Sequence, residues 1–322
     1  MKTHPLIDHV YRIIVLCSTI VLLCAAPQLS QAQQTDYSKV EIKATKISGN
    51  VYMLEGAGGN IGVSVGEDGI LIVDDQFAPL ADKIKAALKQ LGEGKLKFVL
   101  NTHWHGDHTG GNQVFGPDAP IIAHDNVRKR MSTEQRSEFF KQTTPASPKE
   151  ALPVITFNQS LSVHFNGEEI RVIHFPQGHT DGDSVIFFTK SNVVHMGDDF
   201  FSNRFPFVDL ESGGSVQGLI KNIADIIPKL PPDVKLIPGH GPISTVDDLK
   251  AYHRMLVTTT DIVQQKMKAK KSLDQIKKEG LPEEWKSWGT GFIKTDLWLE
   301  IIYKSYSTTP STAPKNSHGH VQ

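Results

Sequence analysis

Cysteine is scarce in this sequence of 322 residues, which contains only Cys17 and Cys24. Both precede residue 33, so a chain that loses residues 1–32 would contain no thiol. Disulfide bonds could not then stabilise the fold, and cysteine could not serve as a nucleophile. A metal site in the remaining chain would have to use histidine, aspartate or glutamate.

An excess of either charge is also missing, because 34 Lys and Arg residues stand against 35 Asp and Glu residues, for a net charge of −1. Nucleic-acid-binding domains normally show a basic excess, so this balance argues against a nucleic-acid partner. The hydrophobic content of 39% and the charged content of 21% are ordinary for a globular protein. Disordered, collagen-like and coiled-coil classes are therefore excluded.

Long apolar runs are missing as well, apart from IIVLCSTIVLLCAA at residues 13–26. This run is too short to span a bilayer comfortably, so no stable membrane span is expected. It follows a basic start and precedes the small-residue ending SQA at residues 30–32, a pattern typical of a cleaved signal peptide over residues 1–32. The mature protein is then predicted to be periplasmic or secreted. A lipid anchor at Cys24 is a weaker alternative, because Leu23 is bulkier than the small residue normally found before a lipidated cysteine.

Residues 33–245 alternate between strand-like and helix-like patterns, which predicts one α/β catalytic domain. The segments VEIKAT, NVYMLEG, NIGVSVG and GILIVDD are rich in β-branched residues and are separated by glycine-containing or asparagine-containing turns, as in an antiparallel meander. The segment LADKIKAALKQL places Leu80, Ile84 and Leu88 on one helical face. Further strands are predicted at KFVLNT, EIRVIHF, SVIFFT, NVVHMG and VKLIPG, with a helix over residues 219–230 between the last two.

A C-terminal helical extension is predicted over residues 246–306. One long helix covers residues 246–271, a second begins with a capping box of Ser272 and Gln275, and a third follows Thr295 as its cap. The extension carries no ligand cluster of its own, which favours a lid or a flank of the catalytic domain rather than a second catalytic domain.

The tail over residues 307–322 is rich in serine, threonine and proline, and is predicted to be disordered. It contains His318 and His320, which either bind a metal weakly or belong to a disordered polar end. The composition favours the second interpretation.

The stretch NTHWHGDHTGGN, residues 101–112, concentrates three histidines and one aspartate. In an extended segment His103 and His105 point to the same side, because side chains alternate, and they can share one metal ion. A helical turn that follows would face Asp107 and His108 toward a neighbouring position, where a second ion can lie roughly 3.5–4 Å away. One short segment is therefore predicted to serve two metal ions.

Each ion needs more ligands than this segment offers, so others must come from different strand ends. His179 in PQGHTDGDS, Asp198 in HMGDDF and His240 in IPGHGP each follow an apolar strand within a glycine-containing turn, where the backbone can approach an ion closely. The other histidines of residues 33–306 lack this setting and are interpreted as ordinary polar or hydrogen-bonded residues. They are His124, His164, His174, His195 and His253.

The HxHxDH segment at residues 103–108 and the three later turns, in this order, resemble the metallo-β-lactamase-fold hydrolases over roughly residues 40–245. The resemblance implies a four-layer αββα sandwich, here with extra C-terminal helices. It also implies how the ligands are distributed. The first metal ion is held by His103, His105 and His179, the second by Asp107, His108 and His240, and Asp198 bridges both.

Imidazole and carboxylate ligands without thiolates suit zinc, so two zinc ions are expected, with iron or manganese as alternatives. Two divalent ions outweigh the charge of two aspartates and one hydroxide, which leaves a site that attracts electron-rich carbonyl oxygens. Asp74, at the end of GILIVDD, occupies the place where the family has an aspartate that hydrogen-bonds a ligand histidine. An ordinary turn aspartate is the competing interpretation.

The implied mechanism is metal-assisted hydrolysis, in which a hydroxide formed from water between the ions attacks a carbonyl group. Asp107 orients this nucleophile and takes part in proton transfer. The substrate-binding residues stay open, although Arg204 either meets a substrate carboxylate or is a solvated loop charge. The turn GAGGN, residues 56–60, either forms a mobile flap over the metals or is an ordinary hairpin turn.

Export argues against glutathione thioesters and tRNA precursors, which are cytosolic, and favours a β-lactam or another cyclic amide or ester as the small-molecule substrate. A lactonase or thioesterase of the same fold is the alternative, because the bridging position holds Asp198 rather than a cysteine. An iron-dependent sulfur dioxygenase with one metal ion is a candidate from a different class. A non-catalytic binding module is disfavoured, because no ligand of the motif is missing. The sequence indicates no oligomeric state.

Overall fold

The computed structural model describes residues 35–307 of the chain. The predicted signal peptide and the predicted tail with its two histidines lie outside the described residues, except that Ser307 is the last residue of a helix. Within the described range, no helix combines the length and the apolar character needed to cross a membrane.

Fourteen β-strands are present in the described residues. In chain order they are β1 (Lys43–Ser48), β2 (Val51–Glu55), β3 (Ile61–Gly66), β4 (Gly69–Val73), β5 (Leu96–Leu100), β6 (Ile121–His124), β7 (Gln135–Ser137), β8 (Gln142–Thr144), β9 (Ile155–Phe157), β10 (Ser160–Phe165), β11 (Glu168–His174), β12 (Ser184–Phe188), β13 (Val193–His195) and β14 (Lys235–Ile237). The strands β1–β5 and β11–β14 overlap the predicted segments. The strands β6–β10 were not predicted, and three of them are only three residues long.

The strands form two large sheets and one small ribbon. The first sheet has the order β1-β2-β3-β4-β5-β6-β9, with an antiparallel meander over β1–β4 and parallel pairing from β4 to β9. The second sheet has the order β10-β11-β12-β13-β14, antiparallel except for the parallel pair β13 and β14. The strands β7 and β8 pair only with each other as a two-stranded ribbon.

Eight α-helices complete the described part of the chain. They are α1 (Ala81–Leu91), α2 (Gly106–Thr109), α3 (Asn112–Phe115), α4 (Asp125–Met131), α5 (Val216–Ile226), α6 (Val246–Lys268), α7 (Leu273–Glu279) and α8 (Thr295–Ser307). The predicted capping box of Ser272 and Gln275 is present at the start of α7. Thr295 is the first residue of α8 rather than its cap, and α5 begins three residues before the predicted helix, where Ser215 caps it.

The predicted four-layer αββα architecture is confirmed by how the core is divided. One cluster of buried side chains lies between the two sheets and joins, for example, Leu71 of β4 to Ile186 of β12. A second cluster packs α1 against the outer face of the first sheet. A third packs α5, α6 and α8 against the outer face of the second sheet. Each sheet is therefore covered by the other sheet on one face and by helices on the opposite face.

The C-terminal helices share the core of the second sheet. Trp298 of α8 is fully buried, and its indole N–H donates to the hydroxyl of Thr259 on α6 at 2.9 Å. Tyr252 of α6 packs against Phe200, which follows β13. The helices thus flank the second sheet and support the loop that leaves β13.

The ends of several strands meet at one edge of the sandwich, where the predicted ligands are located. The segment with the HxHxDH motif leaves β5, and the loop with His179 connects β11 to β12. Asp198 follows β13, and His240 follows β14. Because parallel neighbours present the same end at the same edge, the topology brings loops that are distant in sequence into one place.

Candidate metal centre

The HxHxDH segment lies where β5 ends. His103 and His105 precede α2, and His105 is extended at the position before the first helical residue, with φ −63° and ψ 147°. The chain then enters α2 at Gly106, and this turn carries Asp107 and His108. The backbone therefore has the predicted change from an extended segment to a helical turn, which separates the four side chains into two pairs.

Four residues form a first donor group, in which the possible ligand atoms all lie within 4.8 Å of one another. They are His103, His105, His179 and Asp198. His179 Nε2 lies 2.8 Å from His105 Nδ1. Asp198 Oδ2 lies 3.5 Å from His179 Nε2 and 3.8 Å from His103 Nε2. Imidazole nitrogens and a carboxylate oxygen thus face a common point.

Three residues form a second donor group beside the first, namely Asp107, His108 and His240. Asp107 Oδ2 lies 3.2 Å from His240 Nε2 and 3.6 Å from His108 Nε2. The two imidazole Nε2 atoms are 3.4 Å apart. The structure therefore brings together all seven residues that the sequence predicted as ligands, in the two predicted sets.

Asp198 lies between the two groups. Its Oδ2 faces the first group, whereas its Oδ1 lies 3.2 Å from His108 Nε2 and 3.5 Å from His240 Nε2. Gly239, one residue before His240, approaches this carboxylate so closely that a Cβ atom would overlap Oδ1. The absence of a side chain in the Pro-Gly-His-Gly turn is therefore what allows Asp198 to reach both groups.

Asp74 orients one histidine in each group. Its Oδ2 accepts from His108 Nδ1 at 2.7 Å and from the hydroxyl of Thr102 at 2.8 Å. The same hydroxyl lies 2.9 Å from His103 Nδ1, so His103 Nδ1–H can donate to it. With both Nδ1 atoms occupied in this way, the Nε2 atoms of His103 and His108 are left facing the centre. The interpretation of Asp74 as an ordinary turn residue does not account for these contacts.

Asp209 orients His105 in the same way, and no pattern in the sequence had indicated this role. His105 Nε2 lies 2.8 Å from Asp209 Oδ2. Burial opposes ionisation of Asp209, but the hydrogen bond with His105 lowers its pKa to about 2. Asp209 also caps the short turn that follows it by accepting from the N–H groups of Glu211 and Ser212. The sequence VDLESGG indicates only that Asp209 can cap a turn, and it does not indicate the contact with His105.

His179 is oriented by the backbone. It is fully buried, and its Nδ1–H donates to the carbonyl oxygen of Phe207 at 2.7 Å. Each histidine of the first group therefore has an outer acceptor that fixes the ring and leaves its other nitrogen free for a cation.

The electrostatics of the centre couple its histidines to its aspartates. Burial opposes ionisation of Asp198, but the surrounding histidines, His240 first, hold the pKa of this carboxyl well below its usual range. Burial likewise lowers the pKa of His240, but Asp198 and Asp107 raise it to about 9. Burial lowers the pKa of His179 to about 4, so its imidazole is neutral at pH 7. A cation that binds here would displace the proton from His240.

The GAGGN turn is hydrogen-bonded to two of the ligand loops. Gly59 N–H donates to the carbonyl oxygen of Asp107 at 3.0 Å, and Asn60 N–H donates to that of Gly239 at 2.8 Å. A Cβ atom at Gly59 would overlap the ring of His108. These contacts favour the interpretation as an ordinary turn, which lies between two ligand loops and whose glycine allows the close contact with His108.

The histidines interpreted as ordinary residues lie outside both donor groups. His195 is buried, and its Nε2–H donates to the carbonyl oxygen of Asn60 at 3.0 Å. His124 and His174 stack with ring centroids 3.7 Å apart and an interplanar angle of 13°. Their Nε2 and Nδ1 atoms, respectively, contact the backbone carbonyls of Asn158 and Asp183. These rings therefore have hydrogen-bond partners in the protein and do not need a metal ion.

A cavity of about 690 Å³ opens above the donor atoms, a size typical of small-molecule sites. His105, Asp107 and His240 line its floor. Its walls come from the ribbon β7–β8, the loop over residues 201–207 and the segment before α8, and they include many aromatic side chains. Arg204 also lines the cavity, and within residues 35–307 its guanidinium forms no salt bridge, only an Nε–H donation to Ser202 O at 3.3 Å.

A family model described as the Metallo-beta-lactamase superfamily matches residues 45–240, a range that contains both donor groups. Hydroxyacylglutathione hydrolase GloC of Haemophilus influenzae is 28% identical over 160 residues, which cover 48% of this chain and 73% of that protein.

Two solved structures resemble the fold at low sequence identity. A metallo-beta-lactamase from Pontibacter korlensis has a TM-score of 0.56 and 17% identity, over 67% of this chain and 99% of that chain. The stereoselective inverting sec-alkylsulfatase Pisa1 from Pseudomonas sp. has a TM-score of 0.64 and 14% identity, over 82% of this chain. This chain spans only 50% of the alkylsulfatase.

Proposed function

Because the chain belongs to the metallo-beta-lactamase superfamily, we propose that it is an exported hydrolase that uses two zinc ions to cleave a β-lactam-like cyclic amide or ester. The observation that carries this proposal is the position of Asp198. One of its carboxylate oxygens faces His103 and His179, and the other faces His108 and His240. A carboxylate placed in this way suits a pair of cations better than a single one.

The donor atoms fit such a pair. His103 Nε2 and Asp198 Oδ1 are buried and have no hydrogen-bond partner among the described residues. Buried polar atoms without a partner cost free energy, which a cation beside them would recover. In this proposal the first cation is held by His103, His105 and His179, the second by Asp107, His108 and His240, and Asp198 contributes to both. When bound, such cations polarise a carbonyl oxygen and acidify water.

Asp107 is the residue best placed to handle a proton. Its side chain is 30% exposed and lines the cavity, whereas that of Asp198 is 4% exposed. Burial opposes its ionisation, but His108 and His240 keep the pKa of Asp107 below its usual range, so it is a carboxylate at neutral pH. Its oxygens can therefore orient a water molecule, accept the proton that this water loses and return it to the leaving group.

The cavity supports a small-molecule substrate whose reacting group meets the floor while the rest contacts aromatic walls. A thioesterase or lactonase is the second candidate, and the similarity to the hydrolase GloC favours it. A sulfur dioxygenase with a single iron is the candidate from a different class. These functions differ in their metal content and in the bond that is cleaved, so two measurements separate them.

Elemental analysis of the purified protein tests the metal centre. We expect about two zinc ions per chain, and Asp198→Ala is expected to lower this number and to reduce turnover by at least about a hundredfold while the far-UV circular dichroism spectrum is retained. A stoichiometry of one iron per chain would instead support the dioxygenase.

A substrate panel tests the chemistry. Hydrolysis of β-lactams, lactones, thioesters and sulfate esters is compared at the same protein concentration. Cleavage of β-lactams or lactones by the wild type, and its loss in Asp198→Ala, is the expected result. Turnover of thioesters alone would replace the first proposal by the second.

Export is a further part of the proposal and depends on residues 1–32. We expect the protein isolated from its native cells to begin at Gln33, which mass spectrometry of the intact chain measures directly. A mature protein that retains residues 1–32 would contradict this.

A further inference from the structure

We infer that Phe140 and Phe292 form an aromatic gate at the mouth of the cavity, which selects substrates that carry an apolar, ring-sized group beside the reacting carbonyl. The inference rests on the proposed function, because it defines which substrates that site prefers. The gate consists of these two side chains alone.

Both gate residues are large apolar side chains that are exposed to solvent, which is uncommon among the described residues. Phe140 is 45% exposed and Phe292 is 68% exposed, and both line the cavity above the donor groups. Their rings stack with centroids 6.1 Å apart and an interplanar angle of 22°. Exposed apolar surface of this kind is unfavourable in water and typically marks a surface that a ligand covers.

The gate is continuous with the metal centre through one buried ring. Phe140 lies 5.3 Å from Phe207, measured between ring centroids, and Phe207 lies 5.9 Å from His105 and 5.8 Å from His179. An aromatic surface therefore runs from two proposed ligands to the solvent. A substrate whose carbonyl group reaches the centre would extend its substituent along this surface and against the gate rings.

Both gate residues are held in place by contacts of their own segments. The ribbon β7–β8 is fixed to the loop after Asp209, because Glu211 Oε2 accepts from the Ser137 hydroxyl at 2.9 Å and from Glu138 N–H at 3.1 Å. On the other side, Ile293 is only 2% exposed and anchors the segment that carries Phe292. Both segments therefore hold the two rings at the positions in which they stack against each other.

The gate rings carry no charge, and of the two arginines that line the cavity, only Arg204 forms no salt bridge within residues 35–307. Arg130 lines the cavity nearby, but its guanidinium forms a bidentate pair with Asp181 at 2.6 and 2.8 Å. The two phenyl rings instead offer apolar contacts and the stacking geometry that aromatic groups prefer. The mouth of the cavity therefore favours an apolar substituent about as large as a phenyl ring.

A pair of thiol probes separates the gate from the catalytic reaction. 2-Phenylethanethiol and ethanethiol carry the same zinc-binding group and differ by one phenyl ring, so the ratio of their dissociation constants reports the contribution of the ring. Isothermal titration calorimetry of the zinc-loaded protein measures both constants without any turnover. We expect the wild type to bind 2-phenylethanethiol about tenfold more tightly than ethanethiol.

Two gate variants and one control complete the experiment. Phe140→Ala and Phe292→Ala are each expected to reduce the tenfold ratio at least threefold and to leave the affinity for ethanethiol unchanged. Val154→Ala is the matched control, because Val154 is 67% exposed and does not line the cavity. Its ratio should equal that of the wild type, and circular dichroism spectra establish that all variants are folded.

The possible outcomes distinguish the gate from the function on which it rests. A loss of the ratio in the gate variants but not in the control supports the inference. Tight binding of both thiols with a ratio near one in the wild type, or a ratio that both gate variants retain, would overturn the gate and leave the metal centre intact. If neither thiol binds the zinc-loaded wild type, the proposed centre fails, and the gate inference fails with it.

Discussion

Asp74 reaches both donor groups through hydrogen bonds, directly to His108 and indirectly to His103 through Thr102. In Asp74→Asn, an amide replaces the carboxylate that accepts these hydrogen bonds, so His108 loses its charged partner directly and the Thr102 hydroxyl that contacts His103 loses its acceptor. We expect the affinity for zinc to fall by about 10-fold to 100-fold. Competition with a chromophoric chelator measures this affinity.

Asp75 supplies the matched control for that experiment. It is buried next to Asp74 and, within residues 35–307, its carboxyl accepts only from Gly111 N–H, at 2.9 Å. Burial raises the pKa of this carboxyl well above its usual range, and the side-chain oxygen of an asparagine can accept the same hydrogen bond from Gly111. Asp75→Asn should therefore retain zinc affinity. Equal affinities in the two variants would show that Asp74 does not orient the ligands.

The sequence predicted the metal ligands better than the residues that orient them. The seven donors could be identified because each belongs to a local pattern, either HxHxDH or a glycine-containing turn after an apolar strand. Asp209 could not, because its contact with His105 joins residues 104 positions apart, and nothing near it in the sequence shows that contact. A contact that depends on tertiary structure leaves no local signal.

Among the elements, the ends of β6 and β11 belong to different sheets and meet through the stacked rings of His124 and His174. Burial lowers the pKa of both imidazoles, so protonation is less favourable in the folded chain than in the unfolded chain. The unfolded state then binds more protons below about pH 6.5, and stability falls as the pH decreases through that value. We expect His174→Gln to reduce this acid sensitivity.

Urea unfolding of the metal-free protein at pH 7.5 and pH 5.5 measures the effect. The decrease in the free energy of unfolding between these two pH values should be larger for the wild type than for His174→Gln. His164→Gln serves as the control, because His164 lies exposed on β10. If His174→Gln loses as much stability on acidification as the wild type, the stack does not contribute to the pH dependence.

The predictability of the elements followed their length and periodicity. The strands β2–β4 are mostly apolar over five or six residues, and α5 and α6 show the helical repeat, so these elements were recognised. The ribbon β7–β8 was not, because each of its strands has three mostly polar residues. The two strands pair only with each other and contact a loop rather than a sheet. Their sequences therefore lack the alternation of apolar and polar residues that marks a strand with one buried face.

For the molecule as a whole, the C-terminal helices are part of the core. Trp298 on α8 is fully buried in the cluster that also contains side chains of α5, α6 and the second sheet. We expect Trp298→Ala to lower the free energy of unfolding by about 3–5 kcal/mol, because it leaves a large cavity and removes the hydrogen bond to Thr259. Equilibrium unfolding in urea measures this loss.

Phe292→Ala is the comparison for that variant, because it removes another aromatic ring only a few residues away. Phe292 is 68% exposed, so its removal should change stability by less than about 0.5 kcal/mol. A similarly small effect of Trp298→Ala would mean that α8 is not needed to hold the second sheet and its helices together.

The wall that contains Phe292 comes from the segment before α8, whereas every donor atom comes from residues 103–240. One half of the proposed gate thus comes from a stretch of the chain that supplies no donor atom. Mutations near residue 292 could change which compounds are accepted without disturbing the ions. Directed evolution for new substrates should therefore begin with a library at residue 292, whose side chain is exposed and lies outside the stretch that supplies the donor atoms.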